Sequence, residues 1–211
     1  MLTVHHLGIS QSERIVWLCE ELEIPYRLIR YDRDPVTRGA PAEYKALHFV
    51  GMAPVITDGD VVLPESGAIM EYIIARHGGG RLALDASDPD FPHYLFWLHY
   101  TNGTFLPAEL VGMLSNAGLG PHPIIEAFAK RAKLANALLE KRLGEADYLA
   151  GEKFSAADIM MFYPLTTMRG FLPRDLAPFP NIRAYLKRVG ARPAYLRAKE
   201  KGDPGAPLQL E

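Results

Sequence analysis

Pro54-Val55-Ile56-Thr57, Asp58-Gly59-Asp60, Val61-Val62-Leu63 and Pro64-Glu65-Ser66-Gly67-Ala68-Ile69 form one continuous stretch on which the fold turns. Two short β-branched runs flank a turn-forming Asp-Gly-Asp, which reads as an antiparallel hairpin. Ile69, Met70, Ile73 and Ile74 then recur at helical spacing, and His77-Gly78-Gly79-Gly80 stops the helix. Towards the amino terminus, Thr3-Val4-His5 and Tyr26-Arg27-Leu28-Ile29-Arg30 read as strands. Between them Ile15, Leu18, Cys19 and Leu22 form a helical stripe that ends at Ile24-Pro25. After Pro41 a short helix, residues 42–47, leads back to the hairpin. The order is β-α-β-α-β-β-α over residues 1–77, an α+β arrangement.

Towards the carboxyl terminus, residues 78–89 are rich in Gly, Ala, Asp and Ser and read as a linker. Residues 90–201 are helical in period throughout. The clearest stripe is Ile124, Phe128, Ala132, Ala135, Leu139 and Leu143, with Lys130, Arg131, Lys133 and Lys141 outside it. An all-α bundle is expected there, followed by a loosely ordered tail, residues 202–211, with two prolines and two glycines.

Composition bounds what such a chain does. With 23 basic and 25 acidic residues among 211, the net charge is -2. That balance lacks the basic footprint that nucleic acid or an anionic membrane requires, so neither is expected as a partner. A single cysteine, Cys19, excludes an internal disulfide and a paired-cysteine zinc site, and no metal is expected. The first residues, Met1-Leu2-Thr3-Val4-His5-His6, carry no basic region followed by an apolar stretch. No later run approaches a membrane span, so the cytoplasm is the expected compartment.

Several residues admit an ordinary reading on their own. Ser10 and Glu13 have the spacing of a capping box, which makes them a helix start with no chemistry. Ser66 reads as a helix cap with Glu65 solvated. Pro54 opens a strand, where a trans proline is tolerated. Ser155 with Asp158 is a second capping box, and Phe154 with Ile159 a hydrophobic staple, both serving stability alone. Cys19 lies on an apolar stripe and reads as a small core residue.

Three segments, in this order and at these separations, resemble the glutathione transferase family across nearly the whole chain. They are Ser10-Gln11-Ser12-Glu13-Arg14, Gly51-Met52-Ala53-Pro54-Val55 running on to Glu65-Ser66-Gly67-Ala68-Ile69, and Tyr148 to Ile159. Arg33-Asp34-Pro35 is similar to a stretch of bacterial and fungal members of the serine, theta-like type. The resemblance implies a thioredoxin-like glutathione-binding domain followed by the helical domain. It implies that glutathione is the co-substrate, that its sulfur is conjugated to a small hydrophobic electrophile, and that the protein is a homodimer. Peroxide reduction, isomerisation and a regulatory role that has lost the activity stay open beside this.

The same resemblance assigns roles residue by residue. The Ser10 hydroxyl, with Ser12 as second candidate, would hydrogen-bond the glutathione sulfur and favour thiolate. Glu65 and Ser66 would hold the γ-glutamyl ammonium and carboxylate. A cis Ala53-Pro54 bond would let Ala53 pair with the cysteinyl backbone. Met52 stands where relatives often carry a basic or polar residue facing the glycine carboxylate, and Phe49 where they often have proline. Arg38 and His48 are the candidate replacements. Ile9, Asn102, Phe105, Leu110 and Met113 are expected around the electrophile, with plain core packing the alternative for each.

Overall fold

The computed structural model describes residues 1–116 and 122–211, with residues 112–116 described as helix backbone only. Strand β1 (Thr3–Leu7), helix α1 (Glu13–Leu22), strand β2 (Arg27–Tyr31), helix α2 (Ala42–Lys45), strands β3 (Val55–Asp58) and β4 (Val61–Pro64), and helix α3 (Ser66–Arg76) follow in the expected order. The four-stranded sheet runs β2-β1-β3-β4. β1 is parallel to β2, with Thr3 opposite Arg27, and antiparallel to β3, with Thr3 opposite Thr57. β3 and β4 pair antiparallel from Val55–Pro64 to Asp58–Val61, which leaves Gly59-Asp60 as the loop. Gly59 sits there at φ 59, a left-handed conformation that glycine adopts without a steric cost.

The stripes of α1 and α3 cover one face of this sheet. Ile15, Leu18, Cys19 and Leu22 from α1 and Ile69, Met70 and Ile73 from α3 are buried with Val4 and Ile56. A second cluster, Leu7, Tyr44 and Val55, lies under α2 with Tyr31, Leu47 and Ala53 packed on it. Asp58 ties the hairpin to the end of α3, accepting from Tyr72 Oη at 3.1 Å and lying 2.7 Å from His77 Nε2.

The chain divides into two compact units, Met1–Ala83 with Val189–Gln209, and Leu84–Arg188 with Leu210–Glu211. Helix α9 (Pro193–Gly202) and most of the tail therefore pack with the α/β unit, although their helical and Gly/Pro-rich patterns place them in the all-α region and beyond it. The reason is charge as much as apolar area. α1 carries Glu13, Glu20 and Glu21 on the side away from the sheet. Lys199 meets Glu13 at 3.1 Å, Arg197 meets Glu20 at 3.1 Å, and Arg192 makes a two-pronged contact with Glu21 at 2.7 and 2.8 Å. Trp17 and Tyr195 meet edge to face beside them, 4.9 Å between centroids.

The second unit is helical. Helix α4 (Phe91–Tyr100) passes through one π-helical segment, Thr101–Phe105, into α5 (Leu106–Asn116), and α6 (Pro123–Glu145), α7 (Ala156–Leu165) and α8 (Pro180–Gly190) follow. Every residue of α7 is buried, so it is the spine of the bundle. The capping box at its start is present as the sequence predicts. Asp158 accepts from Ser155 N at 2.9 Å and Leu149 N at 2.9 Å. The α6 stripe is half right. Ala135, Leu139 and Leu143 are buried, whereas Ile124 at the other end is 60% exposed. Among the described residues no helix is long and apolar enough to cross a membrane.

Candidate active site

The loop from β1 to α1 is held in a conformation its residues would not choose. Ile9, a β-branched residue, sits at φ 51. Its N–H donates to Asp203 Oδ1 at 2.9 Å, and its carbonyl accepts from Arg33 Nη2 at 3.0 Å. Arg33 also donates from Nε to Gly8 O at 2.8 Å and from Nη1 to Arg38 O at 2.8 Å. Strain of this kind persists only where the surroundings over-determine it, and here two side chains from distant parts of the chain do so. The residue they fix is the one before Ser10.

Ser10 is 4% exposed and Ser12 fully buried. The Ser10 hydroxyl donates to Leu7 O at 2.6 Å, lies 2.8 Å from Ser12 Oγ, and accepts from Ser12 N at 3.2 Å. Ser12 Oγ is 2.9 Å from His6 Nδ1 and accepts from Leu7 N at 3.1 Å. The N-cap position of α1 falls on Ser12, whose side chain makes no cap bond, so the Ser10–Glu13 capping-box spacing gives way to a turn. Glu13 turns towards Lys199. The two serines that sequence reasoning offered as alternatives are thus neighbours in one hydrogen-bonded group.

The bond between Ala53 and Pro54 is cis, and Pro54 is buried at the head of β3. Glu65, exposed, occupies the N-cap position of α3 at φ 74 and ψ 119, with no side-chain cap bond. Ser66 is the first helical residue rather than the cap, and it is 2% exposed. The amides of this first turn have no partners within the helix, and with the helix dipole they suit an anion. Arg14, wholly buried, links the two helix starts, donating from Nη1 to Gln11 Oε1 at 2.6 Å and to Ser66 Oγ at 3.4 Å. A buried arginine inside the α1 stripe was the signal for this link.

The remaining candidates are scattered. Met52 is 62% exposed. Arg38 is exposed at φ 58 on the turn after β2. That turn is shaped by Asp34, whose Oδ1 accepts from Val36 N at 3.0 Å and Thr37 N at 2.7 Å, and these bonds hold its carboxyl below the usual carboxylate range. His48 Nδ1 accepts from Val50 N at 3.2 Å, which leaves Nε2 as the donor. Asn102, Phe105 and Leu110 lie along the π segment and α5 of the second unit, apart in sequence from Ile9 in the first. Phe105 is fully buried with the Arg174 guanidinium 5.2 Å from its ring centroid. Leu110 is 47% exposed, and the side chain of Met113 lies outside the described residues. Burial, with Glu20 beside it, pushes the Cys19 thiol well above its usual range, which leaves it inert.

Comparison with known proteins gives the family of the chain. Residues 2–75 match the family model described as glutathione S-transferase, N-terminal domain, and residues 123–188 match the corresponding C-terminal domain. Glutathione S-transferase 3 of Schizosaccharomyces pombe is 30% identical over 95% of this chain and 88% of its own. Glutathione S-transferase 1 of Saccharomyces cerevisiae is 29% identical over 95% of both. Among solved structures, a glutathione S-transferase of Actinobacillus pleuropneumoniae superposes with TM-score 0.88 and 34% identity over 100% of this chain and 95% of its own. A Pseudomonas fluorescens family member with two glutathione molecules bound superposes with TM-score 0.77 and 23% identity, covering 93% of this chain and 91% of its own, a likeness of fold.

Proposed function

The chain belongs to the glutathione S-transferase family and is a transferase, and from that premise we propose that it joins the sulfur of glutathione to a small hydrophobic electrophile, with Ser10 as the hydroxyl that favours the thiolate. The observation that supports this best is Arg14, which bridges the first turn of α1 beside Ser10 and the first residue of α3 beside Glu65. In this reading the γ-glutamyl carboxylate meets the Ser66 hydroxyl and the α3 amides, and its ammonium meets Glu65. Ala53 offers its backbone to the cysteinyl unit. Arg38 and His48 are the donors for the glycine carboxylate that Met52 does not supply. We place the protein in the cytoplasm as a homodimer, as its family likeness implies.

Thiolate formation carries only part of such a catalysis. Lowering a thiol pKa from ~8.5 to ~6.5 raises the thiolate fraction at neutral pH roughly 25-fold. Nucleophilicity falls with pKa at a Brønsted slope of about 0.4 to 0.5, which leaves a net gain of about threefold. Holding the electrophile beside the sulfur supplies the rest.

The test is Ser10→Ala, with turnover against a panel of electrophiles and the thiolate absorbance of bound glutathione as readouts. Turnover should fall and the thiolate titration should move up in pH, while glutathione affinity stays nearly unchanged. A variant that titrates like the wild type removes Ser10 from the chemistry. Turnover with peroxides alone would move the reading to a glutathione-dependent peroxidase.

A further inference from the structure

The mechanism above leaves unused a buried histidine that lies directly behind the two serines. His6 is completely buried on β1. Its Nδ1 is 2.9 Å from Ser12 Oγ, and its Nε2 is 3.2 Å from Asp203 Oδ1, an ion-pair distance without hydrogen-bond alignment. Gly202 leaves no slack on the far side, since a Cβ there would stand 3.1 Å from Nε2 and 3.4 Å from two ring carbons. Asp203 is itself 3% exposed, and its Oδ2 is 3.8 Å from Lys199 Nζ, which pairs with Glu13. On β2 the residue opposite His6 is Arg30, paired with Asp32 at 2.9 Å. Asp203 thus stands at ion-pair distance from the ring, Lys199 from α9 and Glu13 from α1 follow behind it, and Arg30 is the residue opposite on β2.

A hydroxyl has one hydrogen to give and two places to accept, and that inventory limits which partners each serine meets at once. When His6 is neutral with its hydrogen on Nε2 towards Asp203, Nδ1 accepts from the Ser12 hydroxyl, and the Ser10 hydrogen points inward at Leu7 O. When His6 is an imidazolium, Nδ1–H and Leu7 N–H fill both accepting places of Ser12 Oγ. Of the two acceptors then within reach of the Ser12 hydrogen, Leu7 O at 3.3 Å and Ser10 Oγ at 2.8 Å, the shorter contact is to Ser10. Ser10 Oγ, now accepting from the Ser12 hydroxyl and amide, has its own hydrogen to turn outward, and a charge-assisted bond to an anionic sulfur is stronger than one to a carbonyl.

We propose that Ser10, Ser12 and His6 form a buried proton relay, in which the thiol proton of glutathione ends on His6 Nδ1 and Asp203 holds the imidazolium. This rests on the reading of Ser10 given above. The Ser10 hydrogen first swings from Leu7 O, 2.6 Å away, to Ser12 Oγ at 2.8 Å; the sulfur then gives its proton to Ser10 Oγ, Ser10 gives its own to Ser12 Oγ, and Ser12 gives its own to Nδ1. One S–H bond breaks and one N–H bond forms, each hydroxyl loses and regains one hydrogen, and nothing is oxidised or reduced. The end state is the imidazolium pattern just derived, with every hydrogen aimed at the thiolate. His6 touches no ligand and acts through the hydroxyls, so it is a positioning residue that also stores the proton. The local charge favours this. Lys199, Glu13 and Asp203 together carry one net negative charge, which the proton on His6 cancels. Burial works against the Asp203 anion, yet His6, the Ile9 N–H and Lys199 outweigh it and hold the carboxyl below the usual carboxylate range.

The experiment counts protons. Glutathione is added to the protein near neutral pH in weak buffer with an indicator dye, and thiolate absorbance and proton release are read together. S-methylglutathione, which has no thiol, corrects for all other groups. In the wild type, thiolate should appear with well under half a proton released per site. His6→Asn retains an amide donor to Ser12 but cannot store a proton, so its release should rise towards one proton per thiolate and its titration should move up by about a pH unit, a tenfold loss of thiolate. Ser12→Ala should do the same, and it carries the test together with the wild-type count if the His6 variant does not fold. One proton released per thiolate in the wild type overturns the relay, as does rescue by His6→Asn. Ser10→Ala titrating like the wild type overturns the underlying reading of Ser10, and the relay with it.

Discussion

Asp158 joins three segments of the helical unit through one buried carboxylate, and Asp158→Ala should show what that is worth. The carboxylate is fully buried. Oδ1 accepts from Leu149 N at 2.9 Å and Tyr185 Oη at 3.1 Å, and Oδ2 from Ser155 N at 2.9 Å and Ser155 Oγ at 3.2 Å. Truncation leaves two amides, a phenol and a serine hydroxyl buried beside a cavity. An orphaned buried donor costs about 1 to 3 kcal/mol, and because neighbouring losses overlap, a total of about 3 to 5 kcal/mol is expected. Against a typical reserve of about 5 to 15 kcal/mol this is a large fraction. Equilibrium urea unfolding measures it, with Trp97 in the same unit as a fluorescent reporter. A loss below about 1 kcal/mol would refute the accounting. Asp158→Asn adds a pH test. Burial pushes the Asp158 carboxyl up to about 6, against an unfolded value near ~3.9. An acid raised in this way favours the folded state below the unfolded pKa and loses that contribution as pH rises through about 6. The loss amounts to roughly 3 kcal/mol. Asparagine has no such titration. The stability advantage of the wild type over Asp158→Asn should therefore shrink between pH 4 and pH 7, and a constant difference would show that the carboxyl does not ionise in that window.

Glu65→Ala should weaken glutathione binding by about tenfold or more, since a charged hydrogen bond is worth about 1.5 to 3 kcal/mol, and calorimetric titration with an unchanged dissociation constant would take Glu65 out of the site. Arg33→Ala should lower turnover by releasing Gly8, Ile9 and the Arg38 turn, and Arg33→Lys should not restore it, because an ammonium lacks the planar fork that reaches three carbonyls. Met52→Lys should raise glutathione affinity severalfold at most, as an exposed ion pair is worth about 0.2 to 1 kcal/mol, and the gain should fade with added salt. A wild type that already prefers glutathione strongly over γ-glutamylcysteine would show that Arg38, His48 or another group meets the glycine carboxylate.

What the sequence disclosed and what it withheld divide along a physical line. The hairpin at Gly59, the α1 and α3 stripes and the Ser155–Asp158 box were legible because each is decided within a few residues, by turn chemistry, helical period or capping. The placement of α9 was not, since Pro193–Gly202 has the same helical period as its neighbours, and what seats it against α1 is a set of ion pairs more than 170 residues apart in sequence. The same limit hid the support of the candidate site. Ser10, Glu65 and Ser66 could be named one at a time. Arg14, Arg33, His6 and Asp203 act by reaching across the fold, and each reads in sequence as an unremarked polar residue. The signals lay in their company: an arginine inside an apolar stripe, a histidine inside a strand, and an aspartate just past the end of a helix. Each of these is a costly place for a charge unless something meets it, and in this chain what meets them is the loop that carries Ser10.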